Sequence, residues 1–220
     1  MLKVVNLNKS FGNTKVLKDI SFELEKGEIG VLLGKSGAGK TTILRCINGL
    51  EEADSGEIYL DDVVIKNSKD RENIRGQIGL VFQNFNLFPH MNVLQNIIES
   101  PVNVFDIKKE EAIKRANELL ELVDLEDKKD AYPYELSGGQ QQRVAIARAC
   151  ALSPKVLCFD EPTSALDLET IKRVITIMKR LKEKDITILI ITHDVGFADS
   201  VADKIINIQN GKVESIKLNK

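Results

Sequence analysis

The sequence predicts an α/β fold built on a largely parallel β-sheet, and three observations support that prediction. Four short runs are apolar at nearly every residue rather than at every second residue, which is typical of parallel strands covered on both faces. These runs are residues 29–33, 78–82, 156–159 and 186–191. A glycine-rich turn follows the first run and leads into a helical pattern. Residues 84–151 carry helical periodicity without such a run, which predicts a helical insertion.

The segments at the two ends of the chain are predicted to be β-rich. Residues 3–7 alternate between apolar and polar side chains, and residues 22–24 form a brief apolar stretch. Residues 205–213 contain Asn210-Gly211, a pair typical of two-residue hairpin turns. The sequence therefore predicts short strands first and a closing hairpin last.

Helix boundaries and connections are also predicted. Apolar residues between positions 171 and 181 recur at helical spacing, and Asp167 is the expected N-cap of that helix. Pro89, Pro101 and Pro133 are expected in connections between the short helices of the insertion.

The composition describes an ordinary globular chain of 220 residues, 43% hydrophobic and 29% charged, for which we expect one domain with an insertion. A formal charge of −2 gives no general attraction to nucleic acid, so no nucleic-acid partner is expected. No apolar run approaches the roughly 20 residues that cross a bilayer, so no transmembrane segment is expected. Cys46, Cys150 and Cys158 have no metal-ligand spacing and are expected to be buried, reduced thiols.

The turn after the first apolar run has the spacing of a phosphate-binding loop. Residues 34–41 read G-x-x-x-x-G-K-T, in which glycines let backbone N–H groups approach phosphates closely. Lys40 is expected to supply charge to the β- and γ-phosphates and Thr41 a hydroxyl ligand for Mg²⁺, while the following helix directs its positive end toward the anion. A turn that binds nothing is the alternative, which the flanking strand and helix disfavour.

Polar residues follow two of the other buried runs, where open α/β sheets bind ligands. Gln83 is expected to reach the metal or the attacking water. Asp160 offers a carboxylate for Mg²⁺, and Glu161 is placed to orient or deprotonate water for attack on a phosphate. A pair of solvated acids that open a turn is the alternative for Asp160 and Glu161.

A second glycine pair lies at Leu136-Ser137-Gly138-Gly139-Gln140, before a long helical pattern. Ser137 and Gln140 have the spacing of a capping box, which is sufficient to explain them. Adjacent glycines in a first helical turn cost up to about 1 kcal/mol each relative to alanine, so we infer that a ligand approaches there. The serine hydroxyl, the bare backbone and the positive helix end are predicted to form a second phosphate-binding surface.

One aromatic side chain remains ambiguous. Phe11 lies early in the chain on a predicted loop, where its ring either stacks on an adenine or packs against the protein.

Together, LSGGQ, the phosphate loop, Asp160-Glu161 and His193 resemble the ATP-binding cassette (ABC) ATPases of membrane transporters, and the resemblance covers essentially the whole chain. It implies a P-loop NTPase fold with a RecA-like parallel-sheet core, an N-terminal antiparallel β part and a helical subdomain. Residues 1–220 would form one domain, with the core at 1–83 and 152–220 and the helical subdomain, which carries the signature motif, at 84–151.

The same resemblance implies the site residues. Those implied to contact ATP are Phe11, Gly34, Lys35, Ser36, Gly37, Ala38, Gly39, Lys40, Thr41, Thr42, Ser137, Gly138, Gly139, Gln140 and Asp167. The implied catalytic residues are Glu161, His193 and Gln83. The implied metal ligands are Thr41, Gln83 and Asp160.

Cofactors and partners follow from the family as well. Two cassettes pair head to tail in it, and each ATP lies between the phosphate loop of one copy and LSGGQ of the other. The resemblance therefore implies ATP and Mg²⁺ as cofactors, a second copy of the chain as partner, and a D-loop at residues 164–167. It also implies ATP hydrolysis coupled to transport through separate permease subunits, at the cytoplasmic face of the membrane.

Residues 44–51, 81–91 and 139–149 further resemble the bacterial importers of polar amino acids, which also use an extracellular solute-binding protein. Lys35, Leu168 and Asp194 depart from the residues usual in that family, namely proline, proline and glutamate, and leave the substrate class open. Two other functions stay open. One is a lipoprotein-release or cell-division ATPase that exports or does mechanical work, and the other is an ATP-gated dimerising module with little hydrolysis.

The apolar cluster of Phe85, Leu87, Phe88 and Pro89 also has two interpretations. It is either core beneath the helical insertion or an exposed docking groove for a permease helix.

Overall fold

The computed structural model describes residues 1–65, 68–164 and 166–219, so Ala165 of the predicted D-loop lies outside the described residues. The strands are β1 (Leu2–Phe11), β2 (Thr14–Leu24), β3 (Ile29–Leu33), β4 (Ser55–Leu60), β5 (Val63–Ile65), β6 (Ile78–Val81), β7 (Val156–Asp160), β8 (Thr187–Thr192), β9 (Lys204–Gln209) and β10 (Lys212–Leu218). The α-helices are α1 (Lys40–Asn48), α2 (Ser68–Asn73), α3 (Val93–Asn103), α4 (Lys109–Leu122), α5 (Gly138–Cys150), α6 (Leu168–Glu183) and α7 (Val195–Val201).

Two sheets organise the molecule. The larger has the order β10-β9-β3-β8-β7-β6, in which β9 through β6 run parallel and β10 is an antiparallel edge strand. The smaller is antiparallel, with the order β2-β1-β4-β5. The predicted α/β fold with a parallel core and an N-terminal antiparallel part is confirmed, and all four predicted buried runs are strands of the larger sheet.

Both faces of the parallel sheet are covered, which explains its uniformly apolar strands. Leu32 and Cys158 belong to the core shared with α1 and the antiparallel sheet. Val31 and Phe159, their neighbours in sequence, belong to the core shared with α3 to α7. Successive residues of a strand point to opposite faces, so every residue of a doubly covered strand must be apolar.

The predicted hairpin is confirmed, and it packs against the glycine-rich loop. Asn210 and Gly211 join β9 to β10 with φ angles of 50° and 75°, as a two-residue hairpin turn of this type requires. The Gly211 N–H donates to Ala38 O at 3.2 Å, and its carbonyl accepts from Lys18 N–H at 2.8 Å. The hairpin is thereby bonded to both the loop and β2.

Three expectations need correction. β1 and β2 have 10 and 11 residues, far more than their apolar stretches predict, because each pairs along its length with the other. Phe11 is therefore the last residue of β1 and does not lie on a loop. Pro101 lies inside α3 and is buried, where its packing against the core offsets the hydrogen bond that proline cannot donate.

The three cysteines are buried free thiols, as expected, and burial raises the pKa of Cys150 and of Cys158 to about 12.

The apolar cluster after Gln83 is partly core and partly exposed surface. Phe85 and Leu87 pack against the core, whereas Phe88 is 39% exposed. Among the described residues, the helices are too short or too polar for any of them to cross a membrane.

Candidate functional site

A cleft of about 1020 Å³ lies at the edge of the sheet where the parallel strands end. The loop after β3 and the residues after β6, β7 and β8 converge on it. Its lining residues are Val16, Leu33, Gly34, Lys35, Ser36, Gly37, Ala38, Gly39, Lys40, Thr41, Thr42, Arg45, Gln83, Asp160, Glu161, His193 and Val195. Every predicted phosphate-loop residue, every predicted catalytic residue and every predicted metal ligand lies here.

Glycine is required at different positions of the loop for different physical reasons. Gly37 has a φ of 76° and open space where a Cβ would be, so it supplies conformation and access. At Gly34 a Cβ would lie 2.3 Å from the carbonyl oxygen of Ile208, so that glycine allows the loop to pack on β9. Gly39, with a φ of 102°, is the N-cap of α1, and no side chain caps that helix end. The positive end of α1 therefore faces the cleft.

Lys40 lies in the floor of the cleft and is only 5% exposed. Its Nζ donates to Gly34 O at 2.7 Å and to Lys35 O at 3.1 Å, and it lies 3.9 Å from Glu161 Oε1. The ammonium is thus held by carbonyl oxygens of its own loop, and the loop folds around a buried positive charge.

Glu161 occupies a strained position between two other cleft residues. Its φ is 46°, a left-handed conformation that costs on the order of 1–3 kcal/mol for a residue other than glycine and persists where the surroundings impose it. Its N–H donates to Ile191 O at 3.0 Å, which ties it to the end of β8. Its Oε2 lies 3.0 Å from His193 Nδ1, opposite the oxygen that faces Lys40.

Asp160 ends β7 beside Glu161. Burial, and secondarily the adjacent Glu161 carboxylate, raise the pKa of Asp160, while the positive charges of Arg45 and Lys40 oppose that shift. Thr41 and Gln83 line the same cleft, so a hydroxyl, an amide and a carboxylate are available there. These oxygen donors suit Mg²⁺, which typically takes few protein ligands and completes its shell with water and phosphate oxygens. Within the described residues, histidine, cysteine and acidic side chains nowhere form a group of three or more that could hold a metal ion.

Phe11 does not line the cleft. Its ring is 47% exposed and packs under Lys9, whose Nζ lies 5.0 Å from the ring centre. Val16 lines the cleft instead, and no sequence signal distinguished this strand residue from its neighbours. Arg45 was also missed, although its position one helical turn after Thr41 places both on one face of α1.

Ser137, Gly138, Gly139 and Gln140 also do not line the cleft of their own chain. The expected capping box is present, with Ser137 N–H donating to Gln140 Oε1 at 2.8 Å and Gln140 N–H to Ser137 Oγ at 3.3 Å. A Cβ on Gly138 would meet no atom within 4 Å, whereas one on Gly139 would lie 2.5 Å from Thr170 Cγ2. Packing therefore explains Gly139, and only Gly138 still points to an approaching ligand.

Asp167 is the N-cap of α6, as expected. Its carboxylate accepts from Thr170 N–H at 2.8 Å and from Thr170 Oγ1 at 2.9 Å. The same Thr170 packs on Gly139, so the first turn of α6 and the first turn of α5 are in contact.

Comparison with known proteins identifies the family of this chain. The family model described as ABC transporter matches residues 17–164. The glutamine transport ATP-binding protein GlnQ of Geobacillus stearothermophilus is 49% identical over 214 residues, covering 97% of this chain and 88% of that protein. The arginine transport ATP-binding protein ArgV of Corynebacterium glutamicum is 47% identical over 224 residues, with the same coverage.

A solved structure gives the same result for the fold. The dimeric structure of a post-hydrolysis state of the ATP-binding cassette MJ0796, bound to ADP and Pi, superposes with a TM-score of 0.87. It is 36% identical and covers 100% of this chain and 99% of its own. Because the family model, the relatives and the fold agree, the chain belongs to the ABC transporter family and is one of its ATPases.

Proposed function

We propose that this chain is the ATP-hydrolysing subunit of a transporter that takes up a polar amino acid through separate permease subunits, at the cytoplasmic face of the membrane. The observation that carries hydrolysis is the position of Glu161 in the cleft, between Lys40 at 3.9 Å and His193 at 3.0 Å. ATP binding alone does not require a carboxylate held at a strained φ beside a histidine, whereas hydrolysis requires a positioned base.

Binding of the triphosphate is assigned to the loop and the start of α1. The loop backbone and the positive end of α1 attract the phosphates, and Lys40 supplies a fixed charge. Lys35, Ser36, Ala38 and Thr42 complete the wall around the phosphates.

Mg²⁺ is assigned to Thr41, Asp160 and Gln83, whose oxygens line one cleft. When bound there, the ion neutralises phosphate charge and polarises the phosphoryl group.

Glu161 is assigned as the base that orients or takes a proton from the attacking water, with its second oxygen kept toward His193. His193 is 70% exposed at its side chain and faces the open side of the cleft, where a terminal phosphate would lie. Gln83 follows the end of β6, and we assign it to reach the metal or the attacking water.

Pairing of two copies is the best account of Ser137, Gly138, Gly139, Gln140 and Asp167. None of them lines the chain's own cleft, yet the open approach to Gly138 and the positive end of α5 suit an anion. We assign them to the ATP of a second copy in a head-to-tail dimer. The dimeric MJ0796 cassette shows that a similar chain dimerises.

The solute assignment rests on the relatives named for glutamine and arginine transport. An importer of this kind also needs an extracellular solute-binding protein to deliver the solute to the permease.

The test is ATP hydrolysis by the complex purified with its native membrane and solute-binding partners. Stimulation of phosphate release by glutamine, arginine or another polar amino acid is the expected result, with the same complex carrying Glu161→Gln as the blank. Hydrolysis that is indifferent to every amino acid would contradict import and favour export or mechanical work.

A further inference from the structure

Helix α5 is bonded to two of the chain segments that leave the cleft, the one after Glu161 and the one after Gln83, called here the cleft segments. Near its middle, the buried Gln142 donates from Nε2 to Pro162 O at 2.5 Å, directly after Glu161. Near its end, Arg148 bonds to the segment that follows Gln83. Its other end, at Ser137, is the predicted contact with a second copy's ATP. The two ends of a 13-residue helix are about 20 Å apart.

The segment after Gln83 has a backbone that needs external support. Phe85 and Asn86 have φ angles of 59° and 49°, two consecutive left-handed residues neither of which is glycine. Such conformations persist only where the surroundings impose them. On the far side of this segment, the buried Asn96 of α3 bonds to both backbone groups of Phe88.

Arg148 supplies the support on the near side. Its guanidinium donates to Phe85 O at 2.8 Å and to Asn86 O at 2.7 Å, and its Cζ lies 5.5 Å from the centre of the Phe88 ring. A planar fork bonded to two successive carbonyls fixes both distance and orientation. Within the described residues Arg148 forms no ion pair with a carboxylate, so these two carbonyls are its main polar partners. Burial lowers the pKa of its guanidinium.

We propose that Arg148 is a positioning residue that couples Gln83 to the Ser137 end of α5 within one chain. A nucleotide that draws Gln83 moves the segment after it, and Arg148 carries that displacement to α5 because the helix is rigid along its axis. Gln142 gives α5 a second attachment beside Glu161, so both cleft segments act on the same helix. The inference rests on the proposed function of Gln83 and of Ser137.

The experiment is hydrogen–deuterium exchange on the full chain with and without Mg·ATP. The parent protein for this experiment carries Glu161→Gln, which suppresses turnover. The protein is kept dilute enough that light scattering shows a monomer with ATP present. In the parent we expect ATP to change exchange both at residues 84–91 and at residues 136–142. In Arg148→Met we expect an ATP Kd within twofold of the parent but a change at 136–142 at least threefold smaller. Arg148→Lys, which keeps the positive charge but lacks the planar fork of the guanidinium, should restore part of it.

Arg180→Met is the matched control. Arg180 also bonds a neighbouring helix through a carbonyl, Leu122 O at 2.9 Å, but touches neither cleft segment. It should keep the full response at 136–142, and thermal unfolding of both variants shows whether they lose similar stability.

The outcomes separate the two proposals. The coupling is refuted if Arg148→Met keeps the response, if Arg180→Met loses it equally, or if the parent binds ATP without any change at 136–142. A parent that does not bind ATP at all would instead refute the proposed function, and the coupling would fall with it.

Discussion

At the scale of single residues, the cleft depends on side chains that hydrogen bonds within the protein hold in place. Lys40 is oriented by two carbonyl oxygens of its own loop, and Glu161 is held by the end of β8 and by His193. These contacts constrain both side chains, which reduces the free energy that a nucleotide must spend on ordering them.

Glu161→Gln tests the assigned base at this scale. The amide keeps the size of the side chain but cannot accept a proton, so we expect ATP hydrolysis to fall by about 10²- to 10⁴-fold while ATP binding is retained. Phosphate release gives the rate, and size-exclusion chromatography with ATP is expected to show a trapped dimer.

Glu169→Gln is the control for that experiment. Glu169 is an exposed acid of α6 that pairs with Arg173, away from the cleft, and its loss should leave the rate unchanged. Hydrolysis by Glu161→Gln at the parent rate would place the base elsewhere.

At the scale of elements, the start of α5 separates two kinds of glycine. Gly138→Ala adds a methyl group to open space and should raise stability by up to about 1 kcal/mol through helix propensity. Gly139→Ala places a Cβ 2.5 Å from Thr170 Cγ2 and should lower stability by about 1–3 kcal/mol through overpacking. Urea unfolding of the two variants measures the difference.

Thr170→Ser checks the cause. It removes the methyl group while keeping a hydroxyl for Asp167, so Gly139→Ala should cost clearly less in that background. An equal cost in both backgrounds would mean that Thr170 is not what excludes a side chain at position 139.

Features that depend on residues close together in the sequence were predictable from local sequence signals. The capping pair Ser137 and Gln140 and the N-cap Asp167 were predictable because each partner lies within three residues. Phe11 was not, because the length of β1 depends on pairing with β2, and Arg148 was not, because its partners lie more than 60 residues away. The cleft residues at the strand ends were predictable because parallel strands deliver their carboxyl ends to one edge.

At the scale of the whole molecule, Asp61 connects the two sheets. It lies in the turn between β4 and β5, and its carboxylate bonds to Lys155 Nζ at 2.7 Å, just before β7, and to the amino group of Met1 at 2.7 Å. Lys155, and then the Met1 ammonium, lower the pKa of Asp61 from its usual 3.8.

The pH dependence of stability follows from the sign of that shift. Because the folded pKa lies below the unfolded one, the contribution of Asp61 is complete well above pH 3.8 and is lost as the pH falls through that value toward the folded pKa. Asp61→Asn should therefore lower the free energy of unfolding at pH 7, by less than about 1 kcal/mol for so exposed a pair, and by less at pH 3.

Urea unfolding of the parent and of Asp61→Asn at pH 7, 5 and 3 measures this. Asp62→Asn is the control, since the adjacent Asp62 makes no ion pair within the described residues. A difference between parent and Asp61→Asn that stays constant with pH would contradict the assigned ion pairs.

The hairpin behind the phosphate loop has a consequence for how the chain is made. Gly34 packs against Ile208 of β9, and Ala38 accepts a hydrogen bond from Gly211, although both partners are synthesised long after the loop itself. A growing polypeptide that has left the ribosome only as far as α6 has the whole phosphate loop but not the strand and turn against which it rests. Nucleotide capture therefore has to wait until translation has passed the hairpin, and a nascent chain stalled before that point should emerge without a formed ATP site.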